Sequence, residues 1–289
     1  MTSWTAADLP SFSGRSVVIT GANSGLGRVT ARELARVGAH VVLAVRDTGK
    51  GEAAAADMPG DVEVRRLDLQ NLSSVCEFAD GTSAVDVLVN NAGIMAPPYA
   101  VTVDGFESQI GTNHLGHFAL TNLLLPKLSD RVVTVSSIFH QLCRVDLDDL
   151  NWERRRYRPW LAYGQSKLAN LLFTSELQRR LDQAGSSLRA LAAHPGYSHT
   201  NLHGQSGSRV NDAFMALGSR LVATDADFGA RQTLFAVSQN LPGNTYIGPR
   251  FGMWGSSRPA GRSRRAKRAD TAAALWELSE RLTDTKFPL

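Results

Sequence analysis

The sequence predicts an α/β domain built on a doubly wound parallel sheet. Three observations point there. Strand-like apolar runs alternate with helical patterns across residues 17–193. A glycine-rich turn joins the first such strand to the first helix. A chain of 289 residues, 43% hydrophobic and 20% charged, also suits one sizeable core. Alternation of this kind places helices on both faces of a parallel sheet.

Val17-Val18-Ile19, a β-branched run bounded by Gly14, reads as the first buried strand. Thr20-Gly21-Ala22-Asn23-Ser24-Gly25-Leu26-Gly27 follows it. Residues 29–37 then set Val29, Leu34 and Val37 among Arg28, Arg32, Glu33 and Arg36, as an amphipathic helix does. Glycines let a backbone pass close to a pyrophosphate, and a helix start offers unpaired N–H groups and a positive dipole end. A plain strand-to-helix turn also favours glycine, but strand, loop and helix in this order favour phosphate. Tyr163 and Lys167 lie four residues apart in a helical stretch, hence on one face. A tyrosine of pKa near ~10 is a poor acid or base at neutral pH. A neighbouring ammonium favours its phenolate, so the pair is expected to lower the tyrosine's pKa. An ordinary surface couple gives the same spacing, so the pair gains meaning only with the other motifs.

The spacing Gly21, Gly25, Gly27 together with Tyr163 and Lys167 resembles the short-chain dehydrogenase/reductase family, a Rossmann fold. Further marks follow in order: Asp68-Leu69 after a third strand and Asn90-Asn91-Ala92-Gly93 after a fourth. Asn113 stands in a long helix, Ser136-Ser137 closes a fifth strand, and His194-Pro195-Gly196 follows a sixth. The stretch from Asn113 to Phe118, the helix after Lys167 and the run Leu275-Trp276-Glu277-Leu278-Ser279-Glu280 resemble the retinol dehydrogenase branch. That branch also holds WW-domain oxidoreductases and protochlorophyllide reductases. The 26-residue interval between Ser137 and Tyr163 fits it too.

The resemblance implies roles. Tyr163 would be the general acid in carbonyl reduction, or the base in alcohol oxidation. Lys167 would lower its pKa and hold the nicotinamide ribose. Ser137, with Ser136 as fallback, would hydrogen-bond the substrate oxygen where charge builds. Asn113 would tie a water to Lys167 and complete a proton relay. Gly21, Asn23, Ser24, Gly25, Leu26, Gly27, Asp68, Leu69, Asn91, Ala92, Gly93, Pro195, Gly196, Ser198 and Thr200 would contact the cofactor. Ser198 departs from the aliphatic residue that the family usually places there, although that contact runs through backbone. The second strand, 41–45, bears on which cofactor binds. An acid at its end would bind a ribose 2′-OH, whereas a nearby arginine accommodates a 2′-phosphate. Val45 holds the acid's place, Arg46 follows, Asp47 comes one step late and Lys50 adds a cation. NADP(H) is therefore expected, with NAD(H) as the alternative.

Charge and composition narrow the partners. Arg250, Arg258, Arg262, Arg264, Arg265, Lys267 and Arg268 carry the basicity; without them the formal net charge of +4 becomes −3. A local segment of this kind, 250–268, is expected as a solvated loop, and no nucleic-acid groove is expected. Residues 151–160, basic and aromatic, fall between Ser137 and Tyr163 and are expected to rim the active site. Cys76 and Cys143 read as reduced thiols. His114 and His117 lack further ligands for a metal, so packing or hydrogen bonding is expected. With no apolar leader and no apolar run near ~20 residues, a soluble cytoplasmic enzyme without a membrane anchor is expected, and an oligomer is compatible.

Three functional classes fit. The first is a hydride-transferring carbonyl reductase or alcohol dehydrogenase acting on a small-molecule carbonyl or alcohol. The second is an NADP-binding regulatory protein without turnover, against which the full catalytic set argues. The third is a sugar-nucleotide epimerase or dehydratase, against which Ser24 in the middle glycine position argues. Residues 201–225, with Val210, Phe214, Met215, Leu217 and Leu221 at helical spacing, read as core or as an apolar substrate lid. No paired cations suggest a clamp for an acid there, so a lipophilic substrate is expected.

Overall fold

Strand identity follows from side chains that must be buried on both faces of a sheet. In the computed structural model, which describes residues 4–196 and 226–289, the runs become β1 (Ser16–Thr20), β2 (His40–Val45), β3 (Asp61–Arg66), β4 (Val85–Asn90), β5 (Leu128–Val135), β6 (Arg189–Ala193), β7 (Tyr246–Pro249) and β8 (Ser257–Pro259). Their order in the sheet is β3-β2-β1-β4-β5-β6-β7-β8. All neighbouring pairs are parallel except β7 with β8. The order reverses beside β1, so the loops after β1 and β4 leave in opposite directions and open a crevice at the strands' carboxyl ends.

The period of two divides the strands between two cores. Val17, Ile19, Val41, Leu43, Val87 and Val133 face one side with Ala31, Leu34, Leu234 and Val237. The last four lie on α1 (Gly25–Arg36) and on α7 (Ala226–Ser238). Val18, Val42, Leu88 and Val132 face the other side with Phe78, Phe118, Phe173 and Leu177. These belong to α3 (Leu72–Asp80), α5 (Gly116–Leu124) and α6 (Pro159–Gln183). α6 begins with proline at its first position, where a missing N–H costs nothing. Between β2 and β3 runs α2 (Thr48–Ala55), and α4 is the single turn Ser108–Ile110.

Two expectations are corrected. The long helix around Asn113 is interrupted by a π-turn, Gly111–Leu115, between α4 and α5. One extra residue per turn turns backbone groups out of the ordinary ladder, which composition does not reveal. The basic segment 250–268 keeps six of its seven cations exposed, but it is not all loop. It supplies β8 and a 3-10 turn, Arg265–Lys267. Arg262 donates to Ser175 Oγ at 2.5 Å and to the Asn244 carbonyl at 2.6 Å, and Arg265 donates to the Cys143 carbonyl at 3.3 Å. Guanidinium groups can satisfy buried carbonyls, so a cationic sequence here serves as an anchor. The proposed lid, 201–225, lies outside the described residues. No helix among the described residues is long and apolar enough to cross a membrane.

The final helix, α8 (Ala269–Thr283), lies against α6 and α5. Trp276 is 1% exposed, stacks on Phe173 at 5.6 Å and meets Phe118 edge-on at 4.8 Å. Its indole donates to Glu280 at 2.9 Å. Trp276→Ala would leave a cavity between three helices, and a loss of about 3–5 kcal/mol is expected in urea denaturation. An unchanged midpoint would show that α8 does not belong to the cooperative core.

Candidate active site

The crevice between β1 and β4 is built by close backbone approach. Gly21, at φ +66°, turns the chain at the end of β1. A Cβ on Gly27 would sit 2.5 Å from Asn91 Nδ2 and 2.7 Å from the Gly21 carbonyl oxygen, so only glycine lets α1 start this close to β4. Ser24 caps α1 in extended conformation without a side-chain hydrogen bond. The first N–H groups of α1 therefore open on the cleft with their dipole, an arrangement suited to a pyrophosphate.

The cleft encloses about 300 Å³. Gly21, Asn23, Ser24, Gly25, Leu26 and Gly27 line it, with Arg46, Asp68, Leu69, Asn91, Ala92, Gly93, Tyr163, Lys167 and Pro195. Residues from six separate loops and helices thus meet in one cleft. Ser198 and Thr200 lie outside the described residues. Gly196 stands beside Pro195 and donates its N–H to His194 Nδ1 at 3.3 Å. Lys50 is not brought into the lining; its ammonium lies 3.2 Å from Asp47 Oδ2. Asp47 also caps α2, accepting from the Lys50 N–H at 3.1 Å. Its carboxylate is thereby committed to the helix, while Arg46 lines the cleft.

Sequence reading missed Ala44, Leu67, Gln70, Ile94, Thr112 and Val135, which also line the cleft. Gln70 and Thr112 flank residues that were singled out, and Gln70 Nε2 donates to Thr112 Oγ1 at 3.0 Å. Adjacency to a motif was the only signal available. Thr20 was likewise passed over, although its hydroxyl accepts the N–H groups of Asn91 and Ala92, each at 2.9 Å.

At the far end of the cleft α6 presents Tyr163 and Lys167, both buried. Burial pushes the Tyr163 phenol up to about 12, opposed by a hydrogen bond with Ser137. Burial also pushes Lys167 down to about 8. The sequence spacing predicts a lowered phenol pKa; the folded protein shifts it upward instead, with desolvation as the largest cause. Lys167 Nζ donates to the Val135 carbonyl at 3.1 Å and stands 5.7 Å from the Tyr163 ring centre. Ser136 lines the cleft and spends its hydroxyl proton on the Lys167 carbonyl at 2.8 Å, while Ser137, outside the lining, is the serine hydrogen-bonded to the phenol. Asn113 is fully buried; its Oδ1 accepts from the Ile94 N–H at 2.8 Å, and its Nδ2 donates to Ser166 Oγ at 2.9 Å.

The insertion before α6 contributes a wall. Phe139 and Trp160 stack at 5.2 Å, and both meet the Tyr163 ring edge-on. Tyr157 is tied down behind them, donating to Glu107 Oε1 at 2.9 Å and accepting from Gln109 Nε2 at 2.8 Å. The aromatic and basic stretch 151–160 is therefore held to the core through its aromatic residues.

A family model described as short chain dehydrogenase matches residues 15–146. Human retinol dehydrogenase 13 is 42% identical over 292 residues, covering 95% of this chain and 86% of the relative. The chain is a short-chain dehydrogenase/reductase of the retinol dehydrogenase branch. It is accordingly an oxidoreductase that transfers hydride between a nicotinamide cofactor and an alcohol or carbonyl. An uncharacterized protein from Mycobacterium paratuberculosis, known from a crystal structure, is 71% identical with complete coverage of both chains and a TM-score of 0.90. A protein from Beutenbergia cavernae described as an NAD(P)-dependent gluconate 5-dehydrogenase, solved with NADP bound at low occupancy, is 26% identical, with 82% of this chain and 96% of that one covered and a TM-score of 0.61.

The shifted lysine has a measurable consequence. Folding lowers its pKa from 10.5 to about 8. Between those values the unfolded chain binds the extra proton, so this group adds stability as pH rises above 8. Urea denaturation of wild type and Lys167→Met is expected to show wild type gaining on the variant between about pH 8 and pH 10. Parallel pH profiles would place the lysine in a more solvated site.

Proposed function

We propose that this dehydrogenase uses NADP(H) and reduces or oxidises a lipophilic carbonyl or alcohol. The observation that carries the cofactor choice is the pairing of Arg46 and Asp47: the guanidinium lines the cleft, and the carboxylate is turned away to cap α2 and pair with Lys50. A 2′-phosphate would meet a cation there, and a 2′-OH would find no free acid. The aromatic wall of Phe139 and Trp160 beside Tyr163, and the retinol dehydrogenase relatives, support an apolar substrate.

The uncapped start of α1 and the space left by Gly27 fit the cofactor's pyrophosphate. The nicotinamide supplies or accepts the hydride. The protein's residues handle the proton. Ser137 donates to the substrate oxygen, holding it beside the phenol. Tyr163, kept protonated by burial, gives its proton to that oxygen as negative charge builds. Lys167 favours the phenolate at the moment it forms and binds the nicotinamide ribose. Asn113 holds the 93–94 loop and Ser166 at fixed distance from the lysine. Oxidation runs through the same groups in reverse.

Tyr163→Phe keeps the ring and removes the transferable proton. Carbonyl reduction is expected to fall ~10² to 10⁴-fold while NADPH binding, read by fluorescence, persists. Retained turnover would assign the proton to another group. For the cofactor, wild type is expected to bind NADPH more tightly than NADH, and Arg46→Ala to narrow that difference about tenfold or more. Tighter NADH binding by wild type would overturn the NADP reading.

A further inference from the structure

Behind the cleft, His117 joins two parts of the site that the proposed roles treat separately. It sits on the first turn of α5, 2% exposed, with each ring nitrogen committed. Nε2 lies 2.8 Å from Thr20 Oγ1, and Nδ1 lies 3.2 Å from the Asn113 carbonyl oxygen.

Valence decides which nitrogen carries the proton. The Thr20 oxygen already accepts two N–H groups, from Asn91 and Ala92. Its own proton is what remains to be placed. The Val89 carbonyl at 3.4 Å is a long alternative to His117 Nε2 at 2.8 Å. Thr20 therefore donates to Nε2, which must be unprotonated, and the ring proton resides on Nδ1 and is donated to the Asn113 carbonyl. Burial, with the Lys167 charge nearby, holds the imidazole neutral at a pKa of about 3. A single tautomer thus prevails throughout the working pH range.

We infer that His117 is a positioning residue, whose fixed tautomer ties the β1–β4 crevice that receives the cofactor to the Asn113 carbonyl in the π-turn. The two halves of the link act on different steps. The Thr20 half holds the 91–92 backbone next to Gly21, and these three residues line the cleft. The Asn113 half orients a carbonyl in the π-turn, whose side chain in turn fixes the 93–94 loop and Ser166. The inference rests on the roles proposed above for Asn113 and Lys167.

Two substitutions separate the halves. Asparagine at 117 keeps a donor where Nδ1 lies and loses the reach to Thr20. Glutamine keeps an acceptor where Nε2 lies and loses the donor to Asn113. His117→Asn is expected to weaken NADPH binding, measured by fluorescence, about tenfold, the scale of one buried hydrogen bond, with kcat at saturating cofactor changed less than threefold. His117→Gln is expected to show the reverse: near-normal NADPH affinity and a kcat about tenfold lower. Thr20→Val, nearly isosteric, should weaken NADPH at least as much as His117→Asn, and adding His117→Asn to it should cost little more. A purely structural histidine gives another pattern, in which both variants lose thermal stability and keep wild-type constants per folded molecule. That pattern, or full additivity of Thr20→Val with His117→Asn, would overturn the inference. If wild type reduces no carbonyl, the proposed function fails, yet the NADPH affinities still test the link to Thr20.

Discussion

The Thr20 hydroxyl is the point from which the remaining geometry follows. By accepting the N–H groups of Asn91 and Ala92 it holds the ends of β1 and β4 at one spacing. Asn91 answers by donating its side-chain amide to the Thr20 carbonyl at 2.8 Å. These groups lie where strand order reverses and no further ladder bonds are available, so side chains must satisfy the backbone. With that spacing held, α1 can begin against β4 only if position 27 lacks a Cβ, and the open helix start comes to face the cleft.

A second constraint is desolvation. Tyr163 and Lys167 are both enclosed, and burial disfavours the charged form of each. The phenol is thereby kept as a proton donor and the ammonium is made easier to discharge. The sequence spacing suggested attraction as the governing effect. In the folded protein the lysine is held by the Val135 carbonyl with its ammonium 5.7 Å from the ring centre, and loss of water is the largest cause of both shifts.

The C-terminal part shows how composition can mislead. Seven cations within 19 residues read as a solvated stretch, yet two of them fasten the segment to the core through carbonyls and a hydroxyl. Trp276 then stacks on α6. The helix that carries the proton-transfer pair is therefore covered on its outer face by α8, and its inner face is left to the site.

From sequence alone came the doubly wound parallel sheet, the phosphate loop, the order of the motifs and the family. Those properties are local or periodic: glycine spacing, alternation of apolar residues, and residue types at strand ends. Arg46 and Asp47 could also be told apart in sequence, because one step along a strand reverses a side chain's direction. Tertiary structure alone decided where the π-turn interrupts the helix at Asn113 and that Lys50 pairs with Asp47 outside the cleft, and it put Ser137, the serine the resemblance favours, beside the phenol. It alone joined Thr20 to His117 across 97 residues. Most of these depend on distances between elements far apart in the chain or on how much water burial removes; the Lys50–Asp47 pair is local, and only its place relative to the cleft is tertiary. Neither quantity has a signature in residue order.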